Sequence, residues 1–315
     1  MIDNTFELKK ILGKGGSSKV FLATDAAQTQ VAIKTMRKDK KYSQQVIETL
    51  VKREADMLST LEGHPNIIRC MGSELNGTFT IHNKSEPVVY NVLEYAENGA
   101  FSAFVRSTGP IEEQIVRLFT AQVCSAVNHI HSLGYAHLDI KLENILLDEL
   151  FNVKLADLGS CIEAPEFDTM VDRRRGTLSY MAPEVANLES GQSFMAIPAD
   201  IYSLGVTIYV MITGEFPSAQ MLKQNVSTSD CDAKTSCDVE MDDEESNSGW
   251  SLVSSELKEL LQSMTHPDPY KRPSMLEVLS HPWVDCEFSQ ELMEEAYQEM
   301  SGRKAYMKKL QNSRQ

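Results

Sequence analysis

Apolar residues in this chain recur with two different periods, and the change between them near Glu97-Asn98-Gly99 constrains its architecture more than any other feature. Upstream, FELKKILGKGG, SKVFLATD and QVAIKTM alternate as strands do, with turn residues between them. One helical pattern interrupts the alternation at residues 44–61, with Val46, Leu50, Ala55, Leu58 and Leu61 apolar, and His64-Pro65-Asn66 ends it. Strands are predicted at 67–73 and 88–93, flanking a polar hairpin loop at 76–87. Downstream the spacing is helical: Val116, Phe119, Val123, Val127 and Ile130 share one face of a helix predicted at 112–133. A sheet region followed by a helical region predicts an α+β chain with two lobes and a cleft where they meet. The expected division is a first lobe at 1–96, a second at 97–284 and a helical tail at 285–315.

Composition narrows the function classes. Lys and Arg total 30 against 45 Asp and Glu, a formal charge of -15, which argues against nucleic-acid binding because that needs a basic footprint. The six cysteines form no C-x-x-C pair and read as scattered free thiols. The longest apolar run, 201–214, is too short to span a bilayer and reads as a buried helix. With neither an apolar signal region nor a myristoylation glycine at the start, the expectation is a cytoplasmic protein with access to the nucleus and no membrane association. Residues 223–249 are rich in Ser, Thr, Asp and Glu and read as a flexible acidic insertion. A docking role for Asp242 to Glu245 competes there with a plain spacer. The oligomeric state is not legible.

Several residues carry chemistry. Gly13-Lys14-Gly15-Gly16-Ser17-Ser18-Lys19-Val20 lies between two predicted strands, where glycines let backbone amides approach phosphates, although an ordinary hairpin turn fits as well. No helix follows, so Walker and Rossmann loops are excluded. Lys34 closes a strand, and Glu54 in the next helix offers it an ion-pair partner. In His137-Leu138-Asp139-Ile140-Lys141-Leu142-Glu143-Asn144, the Asp139 carboxylate can take a hydroxyl proton and Lys141 can steady a transferring charge. Asn144, and Asp157 of Asp157-Leu158-Gly159, are oxygen ligands for a hard cation.

Together these elements resemble the eukaryotic protein kinase family across residues 6–284. The matching runs stand in family order: GKGGSSKV, VAIK, Glu54, HLDIKLEN, DLG, GTLSYMAPE, Asp200 and Arg272 within DPYKRP. The resemblance implies a bilobal fold, ATP and Mg2+ as cofactors, and protein substrates with Ser or Thr acceptors, because Lys141 and Gly176-Thr177 follow the serine/threonine pattern. It implies that Leu12, Gly13, Gly15 and Val20 cover the nucleotide, and that Lys34, paired with Glu54, holds its phosphates. Ala32 and Leu146 would sandwich adenine, Glu94 and Ala96 would present hinge backbone groups to it, and Leu93 would stand at the gatekeeper position. Asp139 and Lys141 would be catalytic, and Asn144 and Asp157 would hold Mg2+. Glu184 and Arg272 match a buried ion pair, and Leu58, Cys70, His137 and Leu158 match an apolar spine between the lobes.

Three departures stand out. Ser18 replaces the third glycine and Leu158 replaces a phenylalanine, both mild changes. Leu138 replaces an arginine that in many members grips a phosphate on the activation segment. Arg173, Arg174 and Arg175 precede Gly176, with Thr169 upstream as an acceptor. The expectation is activity without activation-segment phosphorylation. Glu143, with Ala100 at a neighbouring position, predicts a mild preference for Arg or Lys near the target. A nucleotide-binding pseudokinase scaffold is the competing reading. Residues 302–314, basic with Tyr306, Met307 and Leu310, read either as a packed terminal helix or as a regulatory segment.

Overall fold

The computed structural model describes residues 1–15, 18–36, 42–81, 84–218 and 249–313. Five strands, β1 (Glu7–Lys14), β2 (Ser18–Thr24), β3 (Gln30–Met36), β4 (Cys70–Ile81) and β5 (Lys84–Glu94), form one sheet in the order β1-β2-β3-β5-β4. All its neighbours are antiparallel. The period of two in β3 sorts its side chains: Val31 and Ile33 join an upper cluster with Ile2, Phe79 and Val92, while Ala32 belongs to the core that continues below. Helix α1 (Gln44–Thr60) begins at Ser43, whose side chain accepts from the Val46 amide, and buries Ile47, Val51, Glu54 and Leu58 against the sheet.

Of the hairpin loop predicted at 76–87, residues 76–81 and 84–87 are instead strand. β4 and β5 stay paired out to Ile81 and Lys84, and β4 starts at Cys70, three residues later than expected. The alternation Thr78-Phe79-Thr80-Ile81 is β-branched and aromatic, and Phe79 is buried under Ile2, so packing prevails over the polarity of the flanking residues.

Below the hinge lie α2 (Phe101–Thr108), α3 (Glu113–Ser132), α4 (Pro183–Ala186), α5 (Ala196–Thr213), α6 (Ser255–Met264), α7 (Met275–Leu279) and α8 (Gln290–Asn312). Strand β7 (Tyr135–Ala136) follows α3, and short strands β6 (Gly99–Ala100), β8 (Ile145–Leu147) and β9 (Val153–Leu155) make a three-stranded sheet that carries the loops of the cleft. By length and composition α5 could cross a membrane, but it is 94% buried inside the fold and is its central core helix. Gly214, in the left-handed region, ends it.

Helix α8 packs as part of the lobe. Met300 and Ala296 are buried, and the Tyr297 ring meets Phe151 edge-on at 5.5 Å. The Arg303 guanidinium donates to the Thr108, Gly109 and Pro110 carbonyls at 3.3, 3.0 and 2.8 Å. These carbonyls end α2 and would otherwise lack partners. The predicted acidic insertion lies outside the described residues, apart from Gly249.

Candidate active site

Lys34 and Glu54 reach each other because β3 and α1 turn their polar positions toward the same side. Lys34 Nζ stands 2.6 Å from Glu54 Oε1 and 2.8 Å from Asp157 Oδ1. Asn91, opposite Lys34 in the β3–β5 register, is fully buried and donates from Nδ2 to the Val51 carbonyl (3.2 Å) and Glu54 Oε2 (3.4 Å). Burial works against the Lys34 charge, but Glu54 and Asp157 outweigh it and hold the ammonium above the usual lysine range. Enclosure between the lobes pushes the Asp157 carboxyl up, and Lys34 more than reverses this, leaving it below the usual carboxylate range. Asp157 also has φ 62°, a left-handed backbone that a non-glycine residue holds at a cost.

The loop before β8 is held from beneath. Asp200 Oδ2 accepts from the His137 amide and Oδ1 from the Leu138 amide, both at 2.7 Å, and His131 Nε2 lies 3.0 Å from Oδ2. These bonds sustain Leu138 at φ 59° with its side chain buried. Asp139 follows, and three donors converge on its carboxylate: Lys141 Nζ at 2.6 Å, Thr177 Oγ1 at 2.9 Å and Asn144 Nδ2 at 3.1 Å. Lys141 Nζ also donates to Thr177 Oγ1 at 2.7 Å. Asn144 commits its nitrogen to the Asp139 backbone oxygen as well (2.8 Å), and its own carbonyl accepts from Ala156, beside Asp157. Gly176 lets the two segments meet, since a Cβ there would lie 2.4 Å from the Leu138 carbonyl oxygen.

The remaining predicted positions surround the same opening. Gly13 pairs with Val20 across β1 and β2, Val20 pairs with Lys34, and Ala32 pairs with Leu93. Leu12 and Gly15 are exposed on the rim, whereas Val20 and Leu146 pack against the main core from the cleft side. The Glu94 amide donates to the Arg69 carbonyl at 3.0 Å, and the Ala96 carbonyl accepts from Gly99 at 3.1 Å. No described residue accepts from the Ala96 amide, which leaves a hinge donor for a ligand.

A family model described as protein kinase domain matches residues 6–284. The chain belongs to the protein kinase family. Within it, mouse testis-specific serine/threonine-protein kinase 2 is 30% identical over 278 residues, covering 87% of this chain and 71% of the relative. CBL-interacting protein kinase 10 of Oryza sativa subsp. japonica is 30% identical over 292 residues, and the Aurora kinase of Dictyostelium discoideum is 29% identical over 280. Of this chain they cover 91% and 89%; the chain spans 58% of the length of the rice protein and 65% of that of the Dictyostelium protein. The membership is of the serine/threonine type.

In this kinase-family fold the apolar spine positions are packed as expected: Leu58, His137 and Leu158 are buried, and Cys70 packs half-buried against the main core. Arg272 grips Glu184 with two parallel bonds of 2.7 and 2.8 Å. Three groups of the site were not singled out from the sequence: Asn91, His131 and the Thr177 hydroxyl. A polar residue in the apolar run Val88–Val92 could have flagged Asn91, because a buried amide must find partners. Nothing local places the Thr177 hydroxyl on Asp139, which it meets only when the activation segment folds back.

Proposed function

We propose that this chain transfers the γ-phosphate of Mg-ATP to Ser and Thr hydroxyls of protein substrates, and does so with no phosphate on its activation segment. The observation that carries the reading is the bracing of Asp139. Its carboxylate is the base for the incoming hydroxyl proton, and Thr177 and Asn144 fix its orientation while Lys141 spans Asp139 and Thr177. Lys141 is placed to balance negative charge on the transferring group, and positioning of this kind is most of what phosphoryl transfer asks of a protein. Lys34, held by Glu54, would take the nucleotide phosphates. Leu12, Gly13, Gly15, Val20, Ala32 and Leu146 would enclose the nucleotide, with the Glu94 carbonyl and the Ala96 amide at its base edge.

The donor set suits magnesium: the Asp157 carboxylate and the Asn144 amide oxygen are hard ligands, and this ion draws the rest of its shell from water and phosphates. When bound, Mg2+ would neutralise charge on the nucleotide phosphates.

Independence from phosphorylation is supported by the apolar Leu138 and by contacts that dock the segment unaided. Thr177 bridges to Asp139, Gly176 rests on Leu138, and Arg174 Nη1 donates to the Ala186 carbonyl at 3.0 Å. Phosphatase-treated protein should retain its activity; abolished activity would sink this part of the proposal. A mild basic preference near the target rests on Glu143, although Tyr180 Oη already donates to its carboxylate at 3.2 Å. A peptide library favouring acidic or proline-directed sites would refute it.

The deciding measurement compares phosphate transfer from Mg-ATP by wild type and Asp139→Asn. Loss of a general base predicts a drop of roughly 10²- to 10⁴-fold. Equal background in both proteins would favour a nucleotide-binding scaffold.

A further inference from the structure

Two histidines that the candidate active site does not use meet where the loop after α1 crosses α3. The His64 and His129 rings stack with centroids 4.9 Å apart and planes 28° from parallel. His64 Nδ1 faces the Asn66 amide at 3.2 Å. An amide can only donate, so this nitrogen carries the lone pair and the ring proton sits on Nε2. Nε2 then donates to Ser125 Oγ on α3 at 3.1 Å, and both nitrogens of the neutral ring are spent. His129 Nε2 is buried with no hydrogen-bond partner among the described residues. Asn66, whose amide the His64 ring holds, sews the loop to the second lobe. Its Nδ2 donates to the Val153 carbonyl at 3.0 Å and to Gln122 Oε1 at 3.2 Å, and its carbonyl accepts from the Leu155 amide at 2.7 Å. His64 is half-buried and lines a cavity of about 360 Å³, so water can reach it. The charged groups on that wall are Glu62 of the same loop, Arg69 just before β4, Glu94 at the end of β5 and Lys154 of β9. Two carboxylates stand there against two cations, with Lys154 Nζ 3.0 Å from Glu94 Oε1, so the wall brings no net charge to draw a proton onto the ring. Enclosure first, and then the neighbouring His129 ring, hold the His64 imidazole below the usual histidine range.

We propose that His64 and His129 form a proton-operated latch, which holds the loop after α1 to α3 while both rings are neutral and releases it when His64 takes a second proton. That proton can enter only at Nδ1, where it sets one N–H against another and leaves the Asn66 amide without an acceptor. Two charged rings stacked at 4.9 Å would also repel each other. With its amide released, Asn66 loses the orientation that carries its bonds to α3 and β9. The loop continues the helix that bears Glu54, so opening the latch frees the C-terminal end of α1 from the second lobe. A histidine held below its usual range stays neutral in the fold. Its contribution to stability is complete above the unfolded histidine pKa and is lost as pH falls through the lower folded value. The loss begins near about pH 6.5, above the range in which ordinary carboxylates titrate.

The test needs no catalysis, so its outcome is separable from that of the phosphoryl-transfer reading. Amide hydrogen exchange of the full chain is compared at about pH 7.5 and about pH 5.5, either side of the ordinary histidine range, with each rate divided by its intrinsic value at that pH. On acidification, opening at residues 64–68 should rise roughly tenfold, the equivalent of one hydrogen bond lost, with a smaller rise in the last turn of α1. His64→Asn keeps an oxygen for the Asn66 amide and cannot gain a proton, so its exchange should stay flat between the two conditions. His129→Phe keeps a stacked ring without a charge and should respond less than wild type. Ring resonances of wild type followed by NMR should place the His64 midpoint below the ordinary histidine range, at the same pH as the opening. An equal rise in wild type and His64→Asn would overturn the latch, and so would exchange at 64–68 that ignores pH. A full response in His129→Phe would remove that residue from the latch and overturn the pairing. A His64 midpoint in the ordinary range overturns the proposal as well, and this measurement needs only the wild-type chain, so it decides even where a variant fails to fold.

Discussion

Two glutamate–cation pairs hold this molecule, and they differ in what surrounds them. Arg272 is closed in: its side chain has no exposed surface, it meets Glu184 with two bonds, and it also donates to the Pro198, His266 and Pro267 carbonyls. Its plane lies 5.0 Å from the Tyr202 ring, so its faces are covered as well as its edges. Lys34 is as close to Glu54, but it shares its charge with Asp157, whose side chain is 47% exposed in the cleft. A planar fork with every donor committed has nothing left to exchange. A compact ammonium between two carboxylates can give one up to a phosphate. The same charge chemistry thus builds an anchor in one lobe and a candidate ligand site between the lobes.

Breaking each pair tests that contrast. Arg272→Ala leaves Glu184 facing an emptied, buried pocket, and unfolding in urea should show a loss of about 3–5 kcal/mol. Lys34→Met should cost less, about 1–2 kcal/mol, because Glu54 keeps Asn91 and water can enter the cleft. Phosphate transfer should nevertheless fall by roughly 10²-fold or more. Equal stability losses for the two variants would erase the distinction.

Asn91→Leu sharpens the comparison by freeing Glu54 while leaving the pair chemically intact. Losing the bonds to the Val51 carbonyl and to the Glu54 carboxylate together should cost about 2 kcal/mol. The Michaelis constant for ATP should rise several-fold, since Lys34 would be less firmly held. An unchanged constant would show that Glu54 needs no support from β5.

The smallest effect is on acid stability. The folded Asp157 carboxyl lies below its usual range, so its contribution is present above the unfolded carboxylate pKa and lost as pH falls through the lower folded value. Lys34 lies above its usual range, so its contribution is complete below the unfolded lysine pKa and fades only as pH rises through the folded value. Between about pH 5 and pH 3 wild type should therefore lose more stability than Lys34→Met, in which Asp157 is no longer depressed. Urea midpoints at both pH values measure this, and parallel curves would contradict the assigned coupling.

Much of the site was legible because its residues announce themselves locally. Asp139, Lys141 and Asn144 share one short loop, Gly13 and Gly15 lie in a turn between alternating strands, and the period of two in β3 sets Lys34 beside Ala32. The limits of β4 and β5 were misread because polar residues there resemble a loop, whereas in the fold Phe79 is buried in one cluster with Ile2 and Tyr90 and the strands stay paired. The tail helix was legible as a helix, but not its anchoring through Arg303 to the end of α2.

The amino-acid order by itself determined the two lobes, the ion-pair candidates and the candidate base, since periodicity and short spacings are set by the backbone's own geometry. Only the tertiary structure decided that Lys34 answers to two carboxylates, that Thr177 bridges Asp139 and Lys141, and that Arg175 turns inward beside Leu138. Those pairs are separated by up to 123 residues and meet only when the lobes close around a shared core. Which charges then neutralise one another, and which remain uncompensated, depends on the folded distances and burial alone.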